Sequence, residues 1–263
     1  MIVCRSSVEV EKLRRVNQVV ARVLAELRRM AAPGVTTEDI DREAERQVRA
    51  AGAVPAFKGY HGYPATVCVS VNEQVVHGIP SARPLIEGDI LSIDMGAQLD
   101  GYFGDCAVTV PIGRVSPEAA KLLRVTEDAL FKGIEVVKPG ARVSDIGAAV
   151  QGYVEANGFS VVREFVGHGI GTSLHEEPQI ANYGPAGRGP RLAEGMALAI
   201  EPMVNAGKAA VKVLADGWTA VTRDGSLSAH FEHTVVVTAT GCDILTLAGE
   251  TRTTGQALAM GDR

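Results

Sequence analysis

Glu87-Gly88-Asp89-Ile90-Leu91-Ser92-Ile93-Asp94 returns as Glu194-Gly195-Met196-Ala197-Leu198-Ala199-Ile200-Glu201, an offset of 107 residues. Each stretch reads as a Glu-Gly turn that runs into a short apolar strand ending on a carboxylate. Upstream, Pro33-Gly34, Asp39-Ile40 and Gly52 recur with the same spacing as Pro139-Gly140, Asp145-Ile146 and Gly158. Each Pro-Gly separates two helical patterns, Val8 to Ala32 and Thr37 to Ala51 in the first copy, Pro117 to Val137 and Ser144 to Asn157 in the second. Thr36 or Thr37 and Ser144 suit N-caps, and the later glycines suit helix stops. Downstream, an apolar strand follows each Glu-Gly strand, Cys106 to Val110 and Thr234 to Val237. Features repeated in one order predict two similar α+β halves, roughly 8–113 and 117–245, packed as a single domain over 1–263 about a pseudo-two-fold axis. Ligands favour interfaces between such halves, and there Asp94 and Glu201 would face each other. The tail after about residue 251 is small and polar and is expected to be flexible.

The composition, 46% hydrophobic and 22% charged over 263 residues, excludes disordered and collagen-like chains. A net charge of -5 argues against a broad nucleic-acid surface. The basic stretch Lys12, Arg14, Arg15, Arg22, Arg28 and Arg29 is interleaved with Glu9, Glu11 and Glu26, as on a solvated helix face. No apolar run approaches the roughly 18 residues of a membrane helix. Met1-Ile2-Val3-Cys4-Arg5 reaches charge too early for a signal peptide, so a cytoplasmic location is expected. Cys4, Cys68, Cys106 and Cys242 are widely spaced, which favours free thiols.

Asp94 ends its strand, and Asp105 is expected to open the next one after the turn Asp100-Gly101-Tyr102-Phe103-Gly104. Such a hairpin sets two carboxylates on one face. Glu201 and Glu232 hold the matching places in the second half, and His168 adds an imidazole between the glycines of Gly167-His168-Gly169. Four crowded carboxylates would repel one another and resist ionisation. Two divalent cations relieve that repulsion, and an oxygen-rich set with one imidazole suits manganese, iron, cobalt or zinc in a hydrolytic site. Alternation also places His230 on the face of Glu232, and the residues alone do not choose between His168 and His230.

The order of Asn72-Glu73-Gln74-Val75-Val76-His77-Gly78-Ile79-Pro80, Ser92-Ile93-Asp94-Met95-Gly96, Gly104-Asp105, Gly167-His168-Gly169-Ile170-Gly171, His175-Glu176-Glu177-Pro178, Ala199-Ile200-Glu201-Pro202 and Phe231-Glu232-His233-Thr234 resembles the bacterial, type I methionine aminopeptidases. The resemblance runs from about Val8 to Leu245. It implies the duplicated pita-bread (creatinase/aminopeptidase) fold, which agrees with the repeat. It also implies removal of the initiator methionine from nascent polypeptide N-termini at the ribosome, with a small second residue preferred, by a monomer that binds neither nucleic acid nor membrane. The implied metal ligands are Asp94, Asp105, His168, Glu201 and Glu232, holding two divalent ions (cobalt, manganese, iron or zinc) with a hydroxide between them. Glu201 is the implied general base, and His77 and His175 are catalytic residues that contact substrate. Tyr60, Tyr63, Cys68 and Trp218 match the methionine pocket. Phe57 and Leu174 depart from the pattern, standing where relatives often carry Cys and an aromatic residue. Proline-specific pita-bread peptidases carry a further N-terminal domain, and type II methionine aminopeptidases a long insertion between the positions of Glu201 and Glu232; neither has room here. A non-catalytic relative would have lost ligand positions, and all five are filled.

Overall fold

A computed structural model describes residues 1–247; the tail after 251, expected to be flexible, lies outside them. The first half contains helices α1 (Ser7–Met30) and α2 (Thr37–Ala50), then strands β1 (Val54–Pro55), β2 (Val67–Val71), β3 (Gln74–Val76), β4 (Ile90–Leu99) and β5 (Tyr102–Pro111). The second contains α3 (Pro117–Glu135) and α4 (Val143–Ala156), then β6 (Ser160–Val161), β7 (Gly167–Gly169), β8 (Glu176–Ile180), β9 (Ala197–Ile200), β10 (Met203–Asn205), β11 (Val211–Val213), β12 (Ala220–Thr222), β13 (Ser228–His230), β14 (Glu232–Val237) and β15 (Cys242–Ile244).

Local chemistry sets the helix starts. Ser6 and Glu9 form a capping box on α1, Thr36 and Asp39 form one on α2, and Ser116 caps α3 with Pro117 in its first turn. Ser144 is not the cap of α4. Arg142 occupies that position and donates its backbone N–H to the Asp145 carboxylate at 2.7 Å, while the Ser144 hydroxyl accepts from the Arg188 N–H of a loop. An acid at the third helical position satisfies the helix entry from within, so the hydroxyl is free to hold the loop.

One nine-stranded sheet crosses both halves in the order β1-β4-β5-β14-β9-β7-β8, with β2 beside β4 and β15 beside β14. Each helix pair buries its apolar stripe in the core of its own half. Leu13, Val16, Val20, Leu27, Ile40 and Val48 pack with first-half strands, and Leu122, Leu130, Ile134, Ile146 and Val150 with second-half strands. The hairpin expected to turn over five residues turns over two. Leu99 already pairs with Tyr102, and Asp100 and Gly101 take φ of 51° and 80°. An Asp-Gly pair adopts these left-handed angles readily and matches the twist of the flanking strands. Asp94 and Asp105 therefore lie within long strands, and β14 begins at Glu232, earlier than the expected Thr234.

Candidate metal centre

Strand register assembles the acids. In one row across the sheet, Cys68 pairs with Asp94, Asp94 with Ala107 and Ala107 with Glu232. Continuing the Ile200–His233 pairing by one residue sets Glu201 beside Glu232. Two residues along, Gly96 pairs with Asp105, and Ala199 pairs with both Thr234 and His168. Alternation puts every member of these two rows on one face. Cys106, Val108 and His233 turn to the other face, towards Leu24 and Phe131 of the helical layer. Ala107 stands between Asp94 and Glu232 in this row.

All five predicted ligands line one cavity of about 310 Å³. Ligand atoms of Asp105, His168 and Glu232 lie within 4.8 Å of one another. His168 Nε2 is 3.4 Å from Glu201 Oε1 and 4.0 Å from Asp105 Oδ2. His168 Nδ1 lies 2.9 Å from the Gly169 carbonyl oxygen. A carbonyl can only accept, so Nδ1 carries the proton and the Nε2 lone pair faces the carboxylates. The flanking glycines serve close packing: a Cβ on Gly167 would sit 2.4 Å from the Ala199 oxygen, and one on Gly169 2.2 Å from the Glu177 oxygen. Asn182 donates to the Glu201 backbone carbonyl at 3.0 Å, and the Thr234 hydroxyl to that of Asp105 at 2.8 Å.

Asp94 Oδ1, Asp105 Oδ1 and Glu232 Oε1 are buried without a hydrogen-bond partner among the described residues. Burial pushes the Asp94 carboxyl up to about 7. It raises Asp105 well above the carboxylate range, helped by the charges of Glu232 and Asp94. Glu201 and Glu232 rise for the same reasons, burial first and neighbouring carboxylates second. Burial, reinforced by His175, lowers His168 to about 3. Unpartnered carboxylate oxygens beside a neutral imidazole form a donor set that fits divalent cations.

The cavity walls are apolar and aromatic. Tyr63 donates its hydroxyl towards the Gly78 and Val67 carbonyls at 2.8 and 3.0 Å and meets Trp218 edge to face at 5.1 Å. Cys68, Phe57 and Leu174 line the same space. So do Phe165 and Met203, which the sequence reading missed. Met203 follows Glu201 by two residues, a usable signal that Pro202 interrupts; Phe165 gave none. His77 sits at φ 61°, its ring edge-on to Phe165 at 5.3 Å, and burial lowers its pKa to about 4. His175 contacts His168 at 4.3 Å between ring centroids, and its Nδ1 lies 2.7 Å from the Tyr60 hydroxyl. Burial, helped by His61, lowers the His175 pKa. Tyr60 thus does more than line a pocket. His230 lies behind the centre, with Nε2 3.8 Å from Glu201 Oε2, and is outside the cavity lining.

Residues 11–239 match the pattern of metallopeptidase family M24. Methionine aminopeptidase 1 of Bacillus subtilis (strain 168) is 55% identical over 94% of this chain and 99% of its own length. The methionine aminopeptidase of Clostridium acetobutylicum is 52% identical over 94% and 99% of the two chains. The crystal structure of methionine aminopeptidase from Thermotoga maritima matches with a TM-score of 0.93 at 47% identity, over 94% of this chain and 100% of that one. The prolidase from Pyrococcus horikoshii OT3 matches with a TM-score of 0.78 at 20% identity, over 95% and 65%, a likeness of fold.

Proposed function

From the premise that this chain belongs to metallopeptidase family M24 and has its pita-bread fold, we propose that it is a methionine aminopeptidase, removing the initiator methionine from nascent chains with a small second residue. One observation carries the reading: orphaned carboxylate oxygens and a neutral imidazole share a cavity with aromatic side chains and the Cys68 thiol.

Asp94, Asp105, His168, Glu201 and Glu232 would hold two divalent ions. Such ions polarise a peptide carbonyl and bring the pKa of water towards neutrality. The acidic floor also receives the free α-amino group, which confines cleavage to the first peptide bond. The methionine side chain lies against Tyr63, Cys68 and Trp218, with Tyr60 at the edge, where a polarizable thioether finds aromatic and sulfur partners. The Glu201 carboxylate accepts a proton from the attacking water. If the Tyr60 hydroxyl donates to His175 Nδ1, then His175 Nε2 carries the proton and donates it to the carbonyl oxygen as charge develops there. His77, held neutral by burial, reaches the amide nitrogen of the second residue. No helix among the described residues is long and apolar enough to cross a membrane. The proposed setting is the cytoplasm, with the chain acting as a single-domain monomer on nascent chains at the ribosome.

The test is to incubate the chelated protein with Met-Ala-Ser and with cobalt, manganese, iron or zinc, and to count bound metal. Release of methionine only with metal, at two ions per chain, is expected. Cleavage undiminished by chelation, or hydrolysis at internal bonds, would overturn the assignment.

A further inference from the structure

His230 is a buried titratable group beside the acids for which the reaction above has no task. Its backbone is fully engaged: the N–H donates to the Thr109 hydroxyl oxygen at 2.8 Å, and the carbonyl accepts from the same hydroxyl at 2.7 Å. The ring is different. His230 is 1% exposed, and neither Nδ1 nor Nε2 has a hydrogen-bond partner among the described residues. A neutral imidazole always carries one N–H, and burying that donor without an acceptor is costly. Packing does not explain a polar ring here, because Met203, its partner across the β10–β13 pair, is fully buried and apolar.

Nε2 of His230 lies 3.8 Å from Glu201 Oε2, and the other oxygen of that carboxylate, Oε1, lies 3.4 Å from His168 Nε2. Glu201 is therefore flanked by two imidazoles. His168 is fixed in its tautomer by the Gly169 carbonyl and faces the cavity. His230, unlike the five acid and imidazole positions, is outside the cavity lining, so it reaches Glu201 from outside the cavity. An approach of roughly 1 Å would bring the pair within hydrogen-bond distance.

We propose that His230 is a positioning residue for the metal centre: its Nε2–H is directed at Glu201 Oε2 and fixes the rotation of that carboxylate, so that Oε1 is presented to the cation space. Partners of this kind orient ligands and raise their basicity. The proposal rests on Glu201 being a ligand, and the experiment separates the two claims. Cobalt binding to chelated protein is measured by calorimetry and by the visible absorption of the bound ion, alongside the melting temperature of the metal-free form, for wild type, His230→Leu, His230→Met and His230→Gln.

The apolar variants are expected to melt at or above the wild-type temperature without metal, because at 3.8 Å the Nε2–H makes no hydrogen bond to Glu201 in the metal-free protein and its removal loses none. Their cobalt affinity is expected to fall by about 10- to 100-fold, with an altered absorption band. Gln, which restores an N–H near the same place, should recover most of the affinity. A structural role would give the opposite pattern, lowered melting with unchanged cobalt affinity, and would overturn the proposal. Apolar variants that do not fold would also overturn it, as would a Gln variant that binds no better than Leu. Wild type that binds no cobalt would overturn the metal assignment itself, and this proposal with it.

Discussion

Asp94 and Asp105 are joined by a hairpin with a two-residue turn, whereas their counterparts Glu201 and Glu232 are separated by four strands and the loop that carries Trp218. The repeat is thus symmetric in its acids and asymmetric in what lies between them. The first half is a continuous strand platform: Asp105 is buried and Asp94 half-buried, each with a buried oxygen that has no hydrogen-bond partner among the described residues. The second half opens the same strand pair and uses the opening for β10 to β13, Met203, Trp218 and His230, while His168 enters from β7. The duplicated strands supply the four acids, and the unequal insertion adds Met203 and Trp218 to a cavity wall that Tyr63 and Cys68 of the first half share.

If the halves were equivalent, matched changes in them would have matched effects. Glu201→Gln is expected to lower kcat on Met-Ala-Ser by about 1,000-fold, or about 4 kcal/mol, at saturating metal, with the circular dichroism spectrum unchanged. Asp94→Asn should act mainly on metal affinity and recover in part as metal is raised. Similar metal-independent losses in both variants would erase the distinction.

The halves also differ in how protons act on them. Asp94, at about 7, and the raised Asp105 belong to the first half; Glu201 and Glu232 rise as well, but the second half adds His168 and His230, each lowered to about 3 by burial. A carboxyl whose folded pKa is raised stabilises the metal-free fold below its unfolded value, and that contribution is lost as pH climbs through the folded pKa. A lowered imidazole acts oppositely: the unfolded chain takes up its proton first, so stability improves as pH rises towards about 6.5. The two contributions oppose each other between about pH 5 and 6.5 and leave the acids unopposed above that. Metal-free protein should melt several degrees lower at pH 8 than at pH 6, roughly, and saturating metal should abolish the fall. A melting temperature that rises across this interval without metal would show that the acids do not govern it.

The helix pairs and the Glu-Gly strands were legible because each depends on local chemistry, namely caps, turn residues and strand period; the four acids followed from the repeat, whereas His168 was singled out only by the family resemblance. What was not legible depends on register. Asp100-Gly101 carried the signal of a two-residue turn, but a turn read over Asp100 to Gly104 hid the closure at Gly101, which decides which residues oppose Asp94 and Asp105. Ser144 looked like a cap because Ser is a good one, yet Asp145 outcompeted it. His230 and His168 looked alike in sequence, and their strand positions put one behind Glu201 and the other in the cavity.

Gly96 sharpens the contrast at one matched pair of positions. In the repeat it corresponds to Met203, yet a Cβ on Gly96 would lie 2.8 Å from Phe57 Cε1 and 3.2 Å from the Gly104 carbonyl oxygen. The first half has no room where the second accommodates a large side chain. Gly96→Ala is expected to cost about 1–3 kcal/mol in stability and to raise KM for methionyl peptides, because Phe57 lines the cavity and must move. An unchanged melting temperature would mean the platform yields more easily than its packing implies.

The smallest expected effect concerns a bond between the halves. Tyr60, in a first-half turn bounded by Gly59 and Gly62 at φ of 87° and 89°, reaches His175 of the second half with its hydroxyl 2.7 Å from Nδ1. Either ring nitrogen of a neutral histidine could carry the proton. With Nδ1 as the acceptor, Nε2 is the donor that a developing oxyanion needs; the reverse arrangement would point a lone pair at negative charge. Tyr60→Phe keeps the aromatic wall and removes only that hydroxyl. It should lower kcat by about tenfold, which is about 1.4 kcal/mol, and leave KM for methionyl peptides near the wild-type value. In a His175→Ala background the same change should cost nothing further, since partners that act through one another are not additive. A raised KM with unchanged kcat would confine Tyr60 to the methionine pocket, and equal losses in both backgrounds would detach it from His175.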